Sequence, residues 1–310
     1  MFDLAVVALR WVQMTGAMIL FGSSLFFLYA LPKVGPSSAA ALRWPRPLVL
    51  VSAAFVLVAC LLGFLAQTVV LAGSLPDALQ PDALRAAATG MGFGRSSIVR
   101  ALTVAFFVIA FVFLRPSQGA WRLAALAGLA SCATFAWMGH GAATPGVPGL
   151  VHAASDIVHT LAAAVWVGAL VVFLMLQLTD APQAVAERQS LHAALHGFSG
   201  IGSGLVAVLV ASGLVNSWFV VGLAGISKLL TTPYGQLLCL KLALFVGMLG
   251  LAAANRFRLT PALGRALATG PPASEPIAAL RKSLVWETGL SIAVLALVAW
   301  FGTLAPPSAS

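Results

Sequence analysis

Three of the five histidines crowd into residues 140–159, with Met138-Gly139-His140 closing one apolar stretch and His152, Asp156 and His159 opening the next. Positions i, i+4 and i+7 share one helix face, so His152, Asp156 and His159 form a polar stripe on an otherwise apolar segment. The connection 141–151, Gly-Ala-Ala-Thr-Pro-Gly-Val-Pro-Gly-Leu-Val, is flexible enough to fold His140 back towards that stripe. A central Asp in a membrane helix costs roughly 2.5 to 3.5 kcal/mol on insertion scales, so such a stripe should face a bundle interior and serve something there. Imidazoles, a carboxylate and a thioether suit a transition metal. Imidazole favours copper, zinc, iron and nickel, while Met138, and Cys132 deeper on the same segment, are the soft ligands that select Cu(I). Asp156 has two candidate roles, as a ligand or as the group that orients a ligating imidazole. The competing reading of the same residues is a hydrogen-bonded network between helices with no metal.

Other candidates are weaker. His192 and His196 make a second i, i+4 pair, placed just before the sixth apolar run, where a solvated amphipathic turn competes with a metal-receiving role. Met14 and Met18 share a face of the first run, and packing is the ordinary role for both. Glu287, in Leu284-Val-Trp-Glu-Thr-Gly289, enters the last run beside Arg281 and Lys282. Ion pairing is the bland reading there, and a proton or metal exit the sharper one. Trp11, Trp121, Trp166, Trp218 and Trp286 are read as interfacial belt residues.

What must position these groups follows from composition. Of 310 residues, 61% are hydrophobic and 8% charged, with mean hydropathy +1.01, against roughly 25% charged in soluble domains. Only helices and closed barrels satisfy their backbone in lipid, and a spanning helix needs about 20 apolar residues. Apolar runs fall near 4–30, 47–72, 97–114, 121–139, 153–178, 199–223, 236–255 and 284–304, predicting an all-α polytopic bundle of about eight transmembrane helices in one integral membrane domain. The net charge of +9 is scattered through connections without interleaved aromatics, so nucleic acid is not the expected partner; the lipid bilayer is. The odd-numbered connections carry 11 Lys and Arg and the opposite side 6, counting Arg10, Arg85, Arg95, Arg100, Lys228 and Lys241. Positive residues stay in the cytoplasm, so both termini are expected in the periplasm of an inner-membrane protein. The first run lacks a basic leader and a cleavage site and reads as an uncleaved helix. Cys60, Cys132 and Cys239 lie in apolar runs, against a disulfide framework. The segment 261–280 reads as a cytoplasmic linker, and no phosphate-binding Gly-x-x-x-x-Gly-Lys-Ser/Thr loop is present.

A weak internal repeat suggests two four-helix halves in parallel orientation, 1–140 and 150–305. Phe93-Gly94 with Arg100 matches Tyr234-Gly235 with Lys241, Phe21-Gly22 matches Val167-Gly168, and Gly63 matches Gly213. By the same offset Arg10 pairs with Asp156 and Gln13 with His159, so the first helix is expected against the fifth, with Arg10 as a counter-charge.

The second half also resembles a known family. His159-Thr-Leu-Ala-Ala-Ala-Val-Trp-Val-Gly-Ala-Leu170, Phe198-Ser199, Ser212-Gly-Leu-Val-Asn216, Thr232-Pro-Tyr-Gly-Gln-Leu-Leu-Cys-Leu-Lys241, Asn255-Arg256 with Pro261, and the Glu287 segment running to Pro306 resemble the copper resistance protein D family of bacterial inner-membrane proteins. The likeness is densest over 138–307. It implies an eight-helix, non-enzymatic protein that moves copper across the inner membrane, inward, together with a periplasmic copper-binding partner of the copper resistance protein C type docking near His140 and His152. The copper ligands stay as the residues give them: Met138, His140, His152, Asp156 and His159, with Cys132, Met14, His192, His196 and Glu287 as further candidates. Two other functions are carried forward: a scaffold delivering copper to a respiratory oxidase, and a b-type haem electron carrier, which needs imidazoles on two facing helices at one depth.

Overall fold

The computed structural model describes residues 2–29, 43–138, 146–178, 185–223, 225–269 and 274–305. Eight helices there are long and apolar enough to cross a membrane: α1 Phe2–Tyr29, α2 Pro45–Ala72, α3 Gly92–Phe113, α4 Gln118–Ala133, α5 Gly146–Leu178, α6 Val185–Val220, α7 Pro233–Ala254 and α8 Ser274–Phe301. The protein is a polytopic helical membrane bundle, and an even number of crossings leaves both termini on one side. Large apolar side chains such as Phe55, Phe106, Phe113, Leu214 and Val246 point outward, where lipid and not water satisfies them.

Local chemistry sets the helix ends. Pro stands in the first turn of α2 and α7, where its missing N–H costs nothing. The Ser117 and Thr232 hydroxyls accept the backbone N–H of Ala120 and Gly235, each at 3.2 Å, to cap α4 and α7. Gly73, at φ 85°, closes α2 in the left-handed conformation. Arg46 donates to the carbonyl oxygens of Phe111, Val112 and Leu114 at the end of α3, where a cation meets the negative end of the helix dipole.

α1 is central, packing against α2, α4, α5 and α8. It crosses α5 at Gly22 and Gly168, where a Cβ on either glycine would collide with the other helix's backbone. Gly94 and Gly235 occupy matching places near the starts of α3 and α7: a Cβ on the first would strike the carbonyl of Ala87, and on the second that of Leu229. The first helix thus lies against the fifth, as the repeat offset predicts.

Three expectations are corrected. Several helices begin well before their apolar runs, α5 at Gly146, α6 at Val185 and α8 at Ser274, because polar turns beyond the lipid continue the helix without registering as hydropathy. The described parts of the expected linker 261–280 are helical. A π turn, Asn255–Leu259, extends α7 into a helix at Thr260–Thr269, and α8 starts at Ser274. Pro261 accounts for the π turn: it has no N–H to donate and its ring presses on the preceding turn, so the helix widens there. Finally, Arg100 and Lys241 lie within membrane helices, and Arg100 is completely buried; removing them from the less basic set of connections sharpens the charge asymmetry between the two sides.

Candidate metal site

At the end of the bundle that carries both termini, α1, α5, α6, α7 and α8 enclose a cavity of about 170 Å³. His152, Asp156 and His159 line it from one face of α5, Met14 and Met18 from α1, and Asn216, Tyr234 and Lys241 from α6 and α7. Arg10 lines it too, and both Arg10 and Lys241 lie within electrostatic reach of Asp156. Two cations and one carboxylate give no net attraction for a metal ion. Lone pairs, not the overall field, would have to hold one.

His159 is held in place by the neighbouring helix. Ser212 Oγ donates to Val208 O at 2.6 Å and makes a 3.0 Å hydrogen bond with His159 Nδ1. With the proton on Nδ1, the Nε2 lone pair would be left for a ligand, the arrangement by which neighbouring groups fix ligating imidazoles. The Ser155 hydroxyl donates to the Ser212 carbonyl at 3.1 Å and ties α5 to α6 at the same level. His152 is buried and stacks on Phe219 with ring centroids 4.8 Å apart.

The structure thus brings together four of the candidate residues, Met14, His152, Asp156 and His159. His140 lies outside the described residues. Among the described residues no three His, Cys, Asp or Glu side chains already close around one point, so ligation at this cavity calls for side-chain rotation or for thioether and solvent donors. Met138 belongs elsewhere. It lines a separate cavity of about 270 Å³ with Arg10, Gln13 and Gln67, and its Sδ accepts from Arg100 Nη2 at 3.2 Å. That guanidinium also donates to Gln13 Oε1 at 2.6 Å and Thr134 Oγ1 at 2.9 Å and lies 4.0 Å above the Phe135 ring. Cys132 is buried within electrostatic reach of it.

His192 and His196 are on α6 itself, ring centroids 6.3 Å apart, at the opposite end of the bundle from His152. Glu287 is also at that end and 2% exposed. Its carboxylate accepts from Trp166 Nε1 at 2.9 Å and from Asn255 Nδ2 at 2.8 Å. Trp166 is therefore a buried hydrogen-bond donor and not a belt residue. Sequence reasoning passed over Lys241, Asn216, Tyr234, Ser212 and Asn255 as site residues. Lys241 and Arg100 were visible as matched positions of the repeat, and their charge inside apolar runs was the available signal.

The comparisons with known proteins agree with this architecture. Residues 1–150 match the family model described as copper resistance protein D-like, N-terminal domain, and residues 192–301 match copper resistance protein D. Copper resistance protein D of Pseudomonas syringae pv. tomato is 35% identical over 302 residues, 97% of this chain and 96% of that protein. Inner membrane protein YebZ of Escherichia coli (strain K12) is 31% identical over 172 residues, 55% of each chain. No solved structure matches. The eight-helix bundle, both domain matches and end-to-end identity to a curated member place this chain in the copper resistance protein D family, a family of multi-pass membrane proteins.

Proposed function

We propose that this protein carries copper across the bacterial inner membrane from periplasm to cytoplasm, taking it up at the cavity formed by His152, Asp156, His159 and Met14. The observation that supports this most directly is the imidazole pair and carboxylate on one face of α5, turned into a cavity inside a bundle of the copper resistance protein D family. Nitrogen, oxygen and thioether donors there can serve either oxidation state. A periplasmic partner of the copper resistance protein C type would deliver its ion at this end of the bundle. With no nucleotide motor, the membrane potential supplies the driving force, about 2.3 kcal/mol per charge per 100 mV, which makes inward movement downhill.

The delivery scaffold differs only in that copper does not cross. Nothing in the geometry favours the haem reading: among the described residues His152 and His159 share α5, while His192 and His196 share α6 at the other end. The deciding experiment is copper uptake into proteoliposomes by wild type and His159→Ala. Uptake should be lost in the variant with membrane insertion intact. Wild-type protein that binds copper without moving it would leave the scaffold reading, and a His159→Ala protein with full uptake would remove this residue from the path.

A further inference from the structure

Three cavities adjoin through the second half of the bundle. The outer one shares His159, Gly213, Lys241 and Leu295 with a central cavity of about 380 Å³. The central cavity is a mostly apolar cleft whose wall includes the outward-facing Leu214 and Val246, and it shares Trp166 and Leu249 with a third, of about 220 Å³, at the other end of the bundle. That third cavity is lined by Glu287, Asn255, Arg256, Ser199 and Ser203 together with Trp166.

The polar wall of this inner cavity is built, not incidental. Glu287 is fixed by donors from two other helices, Trp166 of α5 and Asn255 of the π turn. Both donors are neutral, so the carboxylate's charge is not cancelled by them. Arg256, the cation lining the same cavity, is engaged with Ser199 O at 3.2 Å and with Ser203 Oγ, while Arg281 and Lys282 are exposed on the preceding turns of α8. Asn255 is 8% exposed, and its Oδ1 is buried with no hydrogen-bond partner. A buried carboxylate held by neutral donors and a buried amide oxygen with no hydrogen-bond partner stand side by side on one cavity, and among the described residues neither has a positive partner. The π turn caused by Pro261 is what places Asn255 there, and such turns recur at functional sites.

We propose that Glu287 and Asn255 form an inner cation station, a second copper site that holds the ion before its release to the cytoplasm. The inference rests on the transport reading above but depends on different residues. Its ligands are oxygens, few in number, and a weak station of that kind suits release.

The test is equilibrium copper binding to the full-length protein in lipid nanodiscs, by competition with a chromophoric chelator, with thermal melting as the folding control. Wild type should bind two ions, and Glu287→Gln should lose one while keeping the other. Asn255→Ala, which leaves the carboxylate in place, should weaken that same ion about tenfold. X-ray absorption on His159→Ala loaded with one equivalent should show a shell of oxygen donors. The inference is overturned if folded Glu287→Gln keeps both equivalents at wild-type affinity, or if wild type binds a single ion that His159→Ala removes. If instead Glu287→Gln loses one ion and His159→Ala loses none, the inner station stands and the outer assignment fails.

Discussion

Ser212 orients His159, because one hydroxyl both donates to Val208 O and is hydrogen-bonded to Nδ1. Removing such an orienting group from a metal ligand typically costs 10- to 100-fold in affinity. Ser212→Ala should therefore weaken copper binding about tenfold with little change in melting temperature, measured by chelator competition and thermal melting on the same sample. Arg100 poses the opposite case, a residue whose interactions are structural. Gln13 Oε1 accepts from it while Gln13 Nε2 donates to Ala59 O at 2.9 Å. Gln13→Ala leaves a buried donor unmet, at about 1 to 3 kcal/mol, and should lower thermal stability in detergent while copper affinity at the α5 cavity is unchanged. The α5 stripe was readable because i, i+4, i+7 spacing is a local property of one helix. Met138 and His152 are near in sequence, but the Arg100 guanidinium reaches Met138 from α3, and no local pattern announces a partner 38 residues away. Asn255 was hidden for a similar reason: its value comes from Glu287 on another helix and from the π turn.

At the scale of helices, hydropathy gives the number of crossings, because lipid demands about 20 apolar residues whatever packs where. It does not give helix ends in water, which is why α6 reaches back to Val185 and the expected linker is mostly helical. Close approach is partly legible, since Gly22 and Gly168 are repeat partners in the sequence and their helices cross there. Small residues at a membrane crossing let backbones meet, and packing then does the work that hydrophobicity does in water. Gly22→Leu or Gly168→Leu should push α1 from α5 and sharply reduce the yield of monodisperse folded protein on size-exclusion chromatography. Gly250→Leu is the matched control: a Cβ there meets nothing within 4 Å, so that variant should behave as wild type.

For the whole molecule, the distribution of charge fixes what direction means. The cavity with His152 and His159 opens at the end that holds both termini, and the Lys- and Arg-rich connections lie at the other end, beside Glu287. If positive connections are cytoplasmic, the imidazole end faces the periplasm and the carboxylate end faces the cytoplasm. On the proposed transport, each additional copper charge would then move inward with the potential. Two measurements follow from that one assignment. A C-terminal alkaline phosphatase fusion should be active, and in proteoliposomes holding protein with its termini outward, copper uptake should rise when the interior is made negative and fall when the gradient is collapsed. An inactive fusion would invert the bundle, and with it the sense of transport. An active fusion with uptake indifferent to the potential would keep the orientation but mean that the ion crosses with no net charge, accompanied by an anion or exchanged for protons.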